Sequence, residues 1–108
     1  MYNFEYSDPA ENDLDNALEY ISFELDNHRA AVELYRNVTA AIDRLCLFPE
    51  SGAKVKHDSN SIGYRFVRCK NYLLFYHIEN TTVKIDRILY GRMDYITLLF
   101  GQSDIDEE

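Results

Sequence analysis

Two runs of helical periodicity stand back to back near the start of the chain. The first sets Leu14, Leu18, Ile21 and Leu25 at helical spacing with Ala17 beside them, and the second repeats the pattern with Ala31, Leu34, Val38, Ala41, Ile42 and Leu45. Only "DNHRA" separates them. Two amphipathic helices joined so closely must fold back as an antiparallel hairpin, with both apolar stripes turned to a common partner layer. Ser7 or Asp8 is placed to cap the first helix, with Pro9 in its first turn. Asn27 is placed to cap the second, and Pro49 and Gly52 stop it.

The partner layer follows. Beyond "SGAKVKHDSNSIG", a polar loop of unassigned conformation, the texture changes to strand. "YRFVRCK" alternates, "NYLLFYHI" is nearly continuous apolar and "TVKIDRILYG" is rich in β-branched residues. Short breaks at "CKNY" and "IENTT" predict hairpin turns, with Asn71 and Asn80 suited to positive φ. Before the helices, Tyr2, Phe4 and Tyr6 alternate in a further short strand. The predicted order is β-α-α-β-β-β with a short C-terminal helix capped by Asp94. The expected fold is α+β, a helical hairpin across one face of an antiparallel sheet, with the other face open. All 108 residues make one domain, and about 101–108 form a frayed acidic tail.

Charge is distributed unevenly. The formal net of −8 divides into −8 over residues 1–51, +5 over 52–93 and −5 over 94–108. The sheet region is therefore basic within an acidic chain, and an anionic partner is not excluded. No run is long enough to span a membrane and the N-terminus has no secretory pattern, so a cytoplasmic location is expected. Cys46 and Cys69 have no metal or redox spacing and are expected as buried free thiols. His28, His57 and His77 share no ligand spacing, so no metal site is expected, and no cofactor motif is present.

Chemistry, if any, rests with the arginines and tyrosines. In "YRFVRCK" alternation puts Arg65 and Arg68 on opposite faces. The same rule puts Val83, Ile85, Arg87 and Leu89 on one face, with Lys84, Asp86, Ile88 and Tyr90 on the other. Asp86 is then free to pair a neighbouring arginine, and Arg92 reaches solvent. Such a cluster serves equally to hold and cut RNA or to form a protein-binding hot spot. Ion pairing within the fold is the plainer reading for Arg65 and Arg87 taken singly.

"DLDNALEYI", "AAVELYRNVTAAIDRLCLFPESG", "YRFVRCKNYLLFYHI" and "VKIDRILYGRMDY", in this order, resemble the RelE/ParE superfamily of bacterial type II toxins. The resemblance runs from about Tyr2 to Leu99 and implies the fold derived above. It also implies a cognate antitoxin as partner, which brings apolar anchors and carboxylates to the basic sheet and alone contacts DNA. The mRNA-cleaving branch commonly has an arginine directly after the tyrosine of "NYLLFY", where this chain has Leu73. Met93 and the apolar "ITLLF" also depart from it, and no histidine lies near the C-terminus.

"RILYGRMDY" is closer to the ParE branch, whose members act on DNA gyrase and are not nucleases. On that resemblance Arg87, Arg92, Asp94 and Tyr95 are the target-binding candidates, with no catalytic residue. The alternative is a ribosome-dependent mRNA endonuclease using Lys54, Lys56, Arg65, Arg68 and Arg92. A second alternative is a detoxified antitoxin-binding module, since relatives are often basic whereas this chain is acidic at both ends.

Overall fold

The computed structural model describes residues 1–55 and 62–91. The chain opens with β1 (Asn3–Tyr6), continues through α1 (Asp8–Glu19) into one π-helical turn (Tyr20–Glu24), and returns along α2 (His28–Leu47). A two-residue strand β2 (Ala53–Lys54) follows, then β3 (Arg65–Cys69), β4 (Tyr72–Glu79) and β5 (Thr82–Tyr90). The expected C-terminal helix from Asp94, and the tail, lie outside the described residues.

Both caps form as the sequence predicts. The Ala10 N–H donates to Ser7 Oγ at 3.1 Å and the Ala30 N–H to Asn27 Oδ1 at 3.0 Å. Each satisfies a backbone donor that the first helical turn leaves without a partner. The expected stripe of α2 is buried throughout.

The stripe of the first helix breaks at its end. Leu14 and Ala17 are buried and Leu18 and Ile21 pack on the core, but Leu25 is exposed. The π turn is the cause: the Leu25 N–H bonds back five residues to the Tyr20 carbonyl at 3.1 Å. One extra residue in the turn carries everything after it out of phase with the α-helical stripe.

The sheet order is β1-β5-β4-β3-β2. β3, β4 and β5 form the predicted antiparallel meander, but β1 runs parallel to β5, so the sheet is mixed rather than wholly antiparallel. Parallel pairing follows because the chain leaves β1, makes its hairpin and meander, and returns beside β1 in the same direction. Both meander turns are two-residue loops. Asn80 takes positive φ (55°) as expected, but in the other turn it is Lys70 (φ 59°), not Asn71.

The main core lies between helices and sheet, where Leu34, Val38, Ile42 and Leu45 meet Leu74, Tyr76, Val83, Ile85 and Ile88. Each fully buried Leu or Ile contributes roughly 1.5–3 kcal/mol relative to exposure. The opposite face is not simply open. Val55, Leu73, Phe75 and Leu89 are buried there in a second cluster, with Tyr64 and Phe66 packed on it.

Candidate functional site

β5 does not alternate evenly. Ile85 pairs with Tyr76 and Arg87 with the adjacent Phe75, so Asp86 is an extra residue in a β-bulge. A bulge reverses the side-chain alternation beyond it. Val83 and Ile85 therefore share the helix-side core with Ile88, while Leu89 joins the second face. The expected common face of Val83, Ile85, Arg87 and Leu89 is thus split, and so is that of Lys84, Asp86, Ile88 and Tyr90. Bulge and first helix are tied together, because Ser7 Oγ–H donates to the Asp86 carbonyl at 2.9 Å and the Ser7 N–H to the Ile85 carbonyl at 2.9 Å.

From that bulge the Arg87 guanidinium reaches over the edge of β5 to α1. Nε lies 2.7 Å from Asp13 Oδ2 and Nη2 lies 2.9 Å from Oδ1, a two-pronged pair. The Ile88 N–H also donates to Asp13 Oδ2, at 3.0 Å. Asp13 hereby closes the stretch of β5 edge beyond the end of β1, and its carboxylate holds the guanidinium more firmly protonated than usual. Of the four target-binding candidates, Arg87 is engaged within the fold. Arg92, Asp94 and Tyr95 lie outside the described residues.

Nor does Asp86 pair an arginine. Its Oδ2 sits 2.8 Å from His77 Nδ1, and His77 Nε2 is 3.1 Å from Glu79 Oε2. Burial opposes a charge on His77, but the two carboxylate hydrogen bonds outweigh it and raise its pKa above the ordinary histidine value. Burial raises the Asp86 pKa, and the histidine only partly offsets this. Sequence spacing does not reveal this trio, because the register that sets Lys84 opposite His77, and so Asp86 diagonally across from it, is fixed only in the sheet.

The endonuclease set divides between faces. Arg65 Nη1 donates to the carbonyls of Glu50 (3.1 Å) and Gly52 (2.9 Å), clamping the loop after α2. Beside it, Tyr76 OH donates to the Pro49 carbonyl at 2.7 Å and accepts from the Gly52 N–H at 3.0 Å. Lys54 is exposed and pairs with Arg65 in the strand register.

Arg68 is exposed and pairs with Leu73, on the second face. Its Nη1 runs along the end of β5, 3.6 Å from where a β-carbon on Gly91 would sit. Lys56 and Arg92 lie outside the described residues. Among the described residues, therefore, Lys54 and Arg65 come together while Arg68 stands apart, across the sheet.

Cys46 and Cys69 are buried free thiols, and burial pushes the Cys69 pKa up to about 11. No group of three or more His, Cys, Asp or Glu among the described residues is arranged to hold a metal ion. None of their helices is long and apolar enough to cross a membrane.

Sequence reading also missed a groove of about 780 Å³ where the hairpin tip meets the strand ends, lined in part by Tyr20, Ile21, Leu25, Tyr72 and Tyr90. The signal was present in the aromatic residues, but their convergence depends on the π turn and on the phase of β5 beyond the bulge.

A search of curated proteins finds no match. Among solved structures, the chain is similar to one described as the chromosomal ParDE TA system from P. aeruginosa. That match has a TM-score of 0.67 at 16% identity and covers 83% of this chain and 96% of the other. At that identity the likeness shows the fold. The family of "ParE toxin of type II toxin-antitoxin system, parDE" matches residues 4–95, which takes in α1, the π turn, α2 and the whole meander, and the chain belongs to this ParE toxin family.

Proposed function

We propose that this chain is the toxin subunit of a type II pair, that it acts in the cytoplasm by inhibiting DNA gyrase, and that a cognate antitoxin neutralises it. The observation that carries this reading is the family match across residues 4–95. Two features of the sheet favour it over RNA cleavage. Arg65 is engaged by two backbone carbonyls, and Leu73, where the nuclease branch places an arginine, is buried in an apolar cluster. Cleavage needs mobile or convergent groups to take up a proton and to stabilise charge on phosphate.

On this reading Arg92, Asp94 and Tyr95 contact the target just past the end of β5. Arg87 sets the position of that end through Asp13. The test is induction of the chain alone in a bacterium, with DNA and protein synthesis pulse-labelled over the first minutes. DNA synthesis falls first if the reading is right, and purified chain then blocks supercoiling of relaxed plasmid by gyrase. Protein synthesis falling first, with transcripts cut within translated frames, transfers the chain to the endonuclease reading. No arrest at all leaves an antitoxin-binding module.

A further inference from the structure

The sheet ends on an open edge at β1. Its outer strands are β1 and β2, and β2 is only two residues long. Along the inner side of β1 the Asn3 N–H donates to the Thr81 carbonyl at 3.0 Å and the Ser7 N–H to the Ile85 carbonyl at 2.9 Å. Bonding residues alternate along a parallel ladder, so Phe4 and Tyr6 turn their N–H and C=O groups outward. No strand among the described residues pairs with those groups.

Edges of this kind are usually guarded by charge, by proline or by a bulge. Here the one charge on β1, Glu5, is held by Lys84 across the ladder. The side chains beside the edge are largely apolar. Tyr2 and Tyr6 pack on the main core. Phe4 shares their face by alternation, its ring edge-on to Tyr6 with centroids 5.8 Å apart. Phe4 is nevertheless 45% exposed, and Leu47 and Met1 are 55% and 95% exposed. With Tyr2, Asp43 and Cys46, these three line a hollow of about 560 Å³ between β1 and the last turn of α2. Roughly 150 Å³ is enough for a benzene-sized ring.

We propose that the chain forms a symmetric dimer by antiparallel pairing of two β1 edges, joining the two five-stranded sheets into one. Pairing β1 with itself about a two-fold axis matches outward donors to outward acceptors, and charge selects the register. An axis through Glu5 would set two carboxylates directly opposite each other, which is unfavourable. An axis through Tyr6 would need Asp8, already in α1, opposite Phe4. An axis through Phe4 instead sets Glu5 opposite the Asn3 amide of the second copy. The two Phe4 residues then exchange N–H···O bonds, and each Tyr6 N–H reaches the other Tyr2 carbonyl. Both Phe4 rings meet at the axis beside the two hollows. The same edge is used on both copies, so association closes at two. This inference goes beyond the toxin reading and does not depend on it.

Sedimentation of the full chain over a range of concentrations should show a reversible monomer–dimer equilibrium. Each copy carries a net charge of −8, so the dimer should tighten as salt screens the repulsion. Phe4→Pro deletes an outward N–H and leaves the Asn3 and Ser7 bonds to β5 in place. It should weaken the dimer at least tenfold with the circular dichroism unchanged. Asn3→Asp should weaken it too. Asn3→Lys should tighten it more than Asn16→Lys, which alters the net charge equally from an exposed position on α1. Cross-linking reads the register. Phe4→Cys should form a disulfide between copies on mild oxidation, because directly paired residues lie about 5.5 Å apart at Cα. Glu5→Cys, two residues out of step with its own copy, should not. The native thiols, Cys46 and Cys69, are buried.

A monomer at every concentration, a folded Phe4→Pro chain that dimerises as before, or cross-linking through Glu5→Cys in preference to Phe4→Cys overturns the proposal. So does a monomer whose complex with the antitoxin is weakened by Phe4→Pro, since a strand of that partner then covers the edge. The cross-link and the Asn3 pair decide the outcome even where Phe4→Pro fails to fold.

Discussion

Asp13 and Arg87, 74 residues apart, meet in a two-pronged ion pair at 2.7 and 2.9 Å, and the same carboxylate accepts the Ile88 N–H at 3.0 Å. One side chain of α1 thus substitutes for a neighbouring strand along β5 just beyond the end of β1. Both partners are mostly shielded, with the Asp13 side chain 13% and the Arg87 side chain 24% exposed, so removing either leaves a poorly solvated charge. Asp13→Ala is expected to cost about 2–3 kcal/mol, on the scale of hydrogen bonds to charged groups. Asp13→Asn, which keeps one acceptor, should cost less. Urea denaturation with a double-mutant cycle checks this, and a coupling near zero between Asp13→Ala and Arg87→Ala would show that the pair contributes nothing jointly.

Ser7 performs two tasks, capping α1 through Ala10 and holding the bulge carbonyl of Asp86. Ser7→Ala should therefore cost about 1–2 kcal/mol, toward the upper end for a cap. Ser7→Gly should be no milder here, unlike at an ordinary cap, because both contacts need the hydroxyl. Thermal unfolding of the two variants distinguishes these outcomes.

Tyr76 is fully buried and its hydroxyl is bonded on both sides, to Pro49 and Gly52. Tyr76→Phe strands one donor and one acceptor and should cost about 1–3 kcal/mol. Amide exchange at Gly52 should quicken more than at Leu74. Gly52→Ala should be damaging as well, since its β-carbon would lie 2.8 Å from Tyr76 Cε1 and 2.9 Å from the Phe66 carbonyl. Both of those contacts persist in phenylalanine, so Tyr76→Phe should not rescue it.

His77 links stability to pH. Its pKa is raised in the fold above the ordinary 6.5, so the protonated form is favoured by folding. The stabilisation is fully present below about 6.5 and is lost as pH rises through the raised folded value. The urea midpoint should fall across that window in the native chain and change less in His77→Gln. A midpoint that rises with pH there, and does so only in the native chain, would show that burial, not the two carboxylates, governs this histidine.

Much of this architecture was legible without coordinates. Two 3.6-residue periods with a cap at each start, followed by strand texture, leave few options besides a hairpin on a sheet. The caps at Ser7 and Asn27 and the buried stripe of α2 follow from local chemistry alone. Those features depend on residues within a turn or two of one another, and the sequence lists such neighbours directly.

What the chain alone could not reveal are the places where one residue too many enters a regular element. The π turn puts Leu25 outside, and the bulge at Asp86 moves Leu89 to the second face. The bulge depends on a contact made elsewhere, with Ser7 at the start of α1, as the β5 edge beyond it does on Asp13. By itself the sequence determined β1, the helical hairpin, the three-strand meander, the order of these elements and the family. Only the tertiary structure decided which face each arginine serves, because alternation holds along a strand until a distant partner stabilises its interruption.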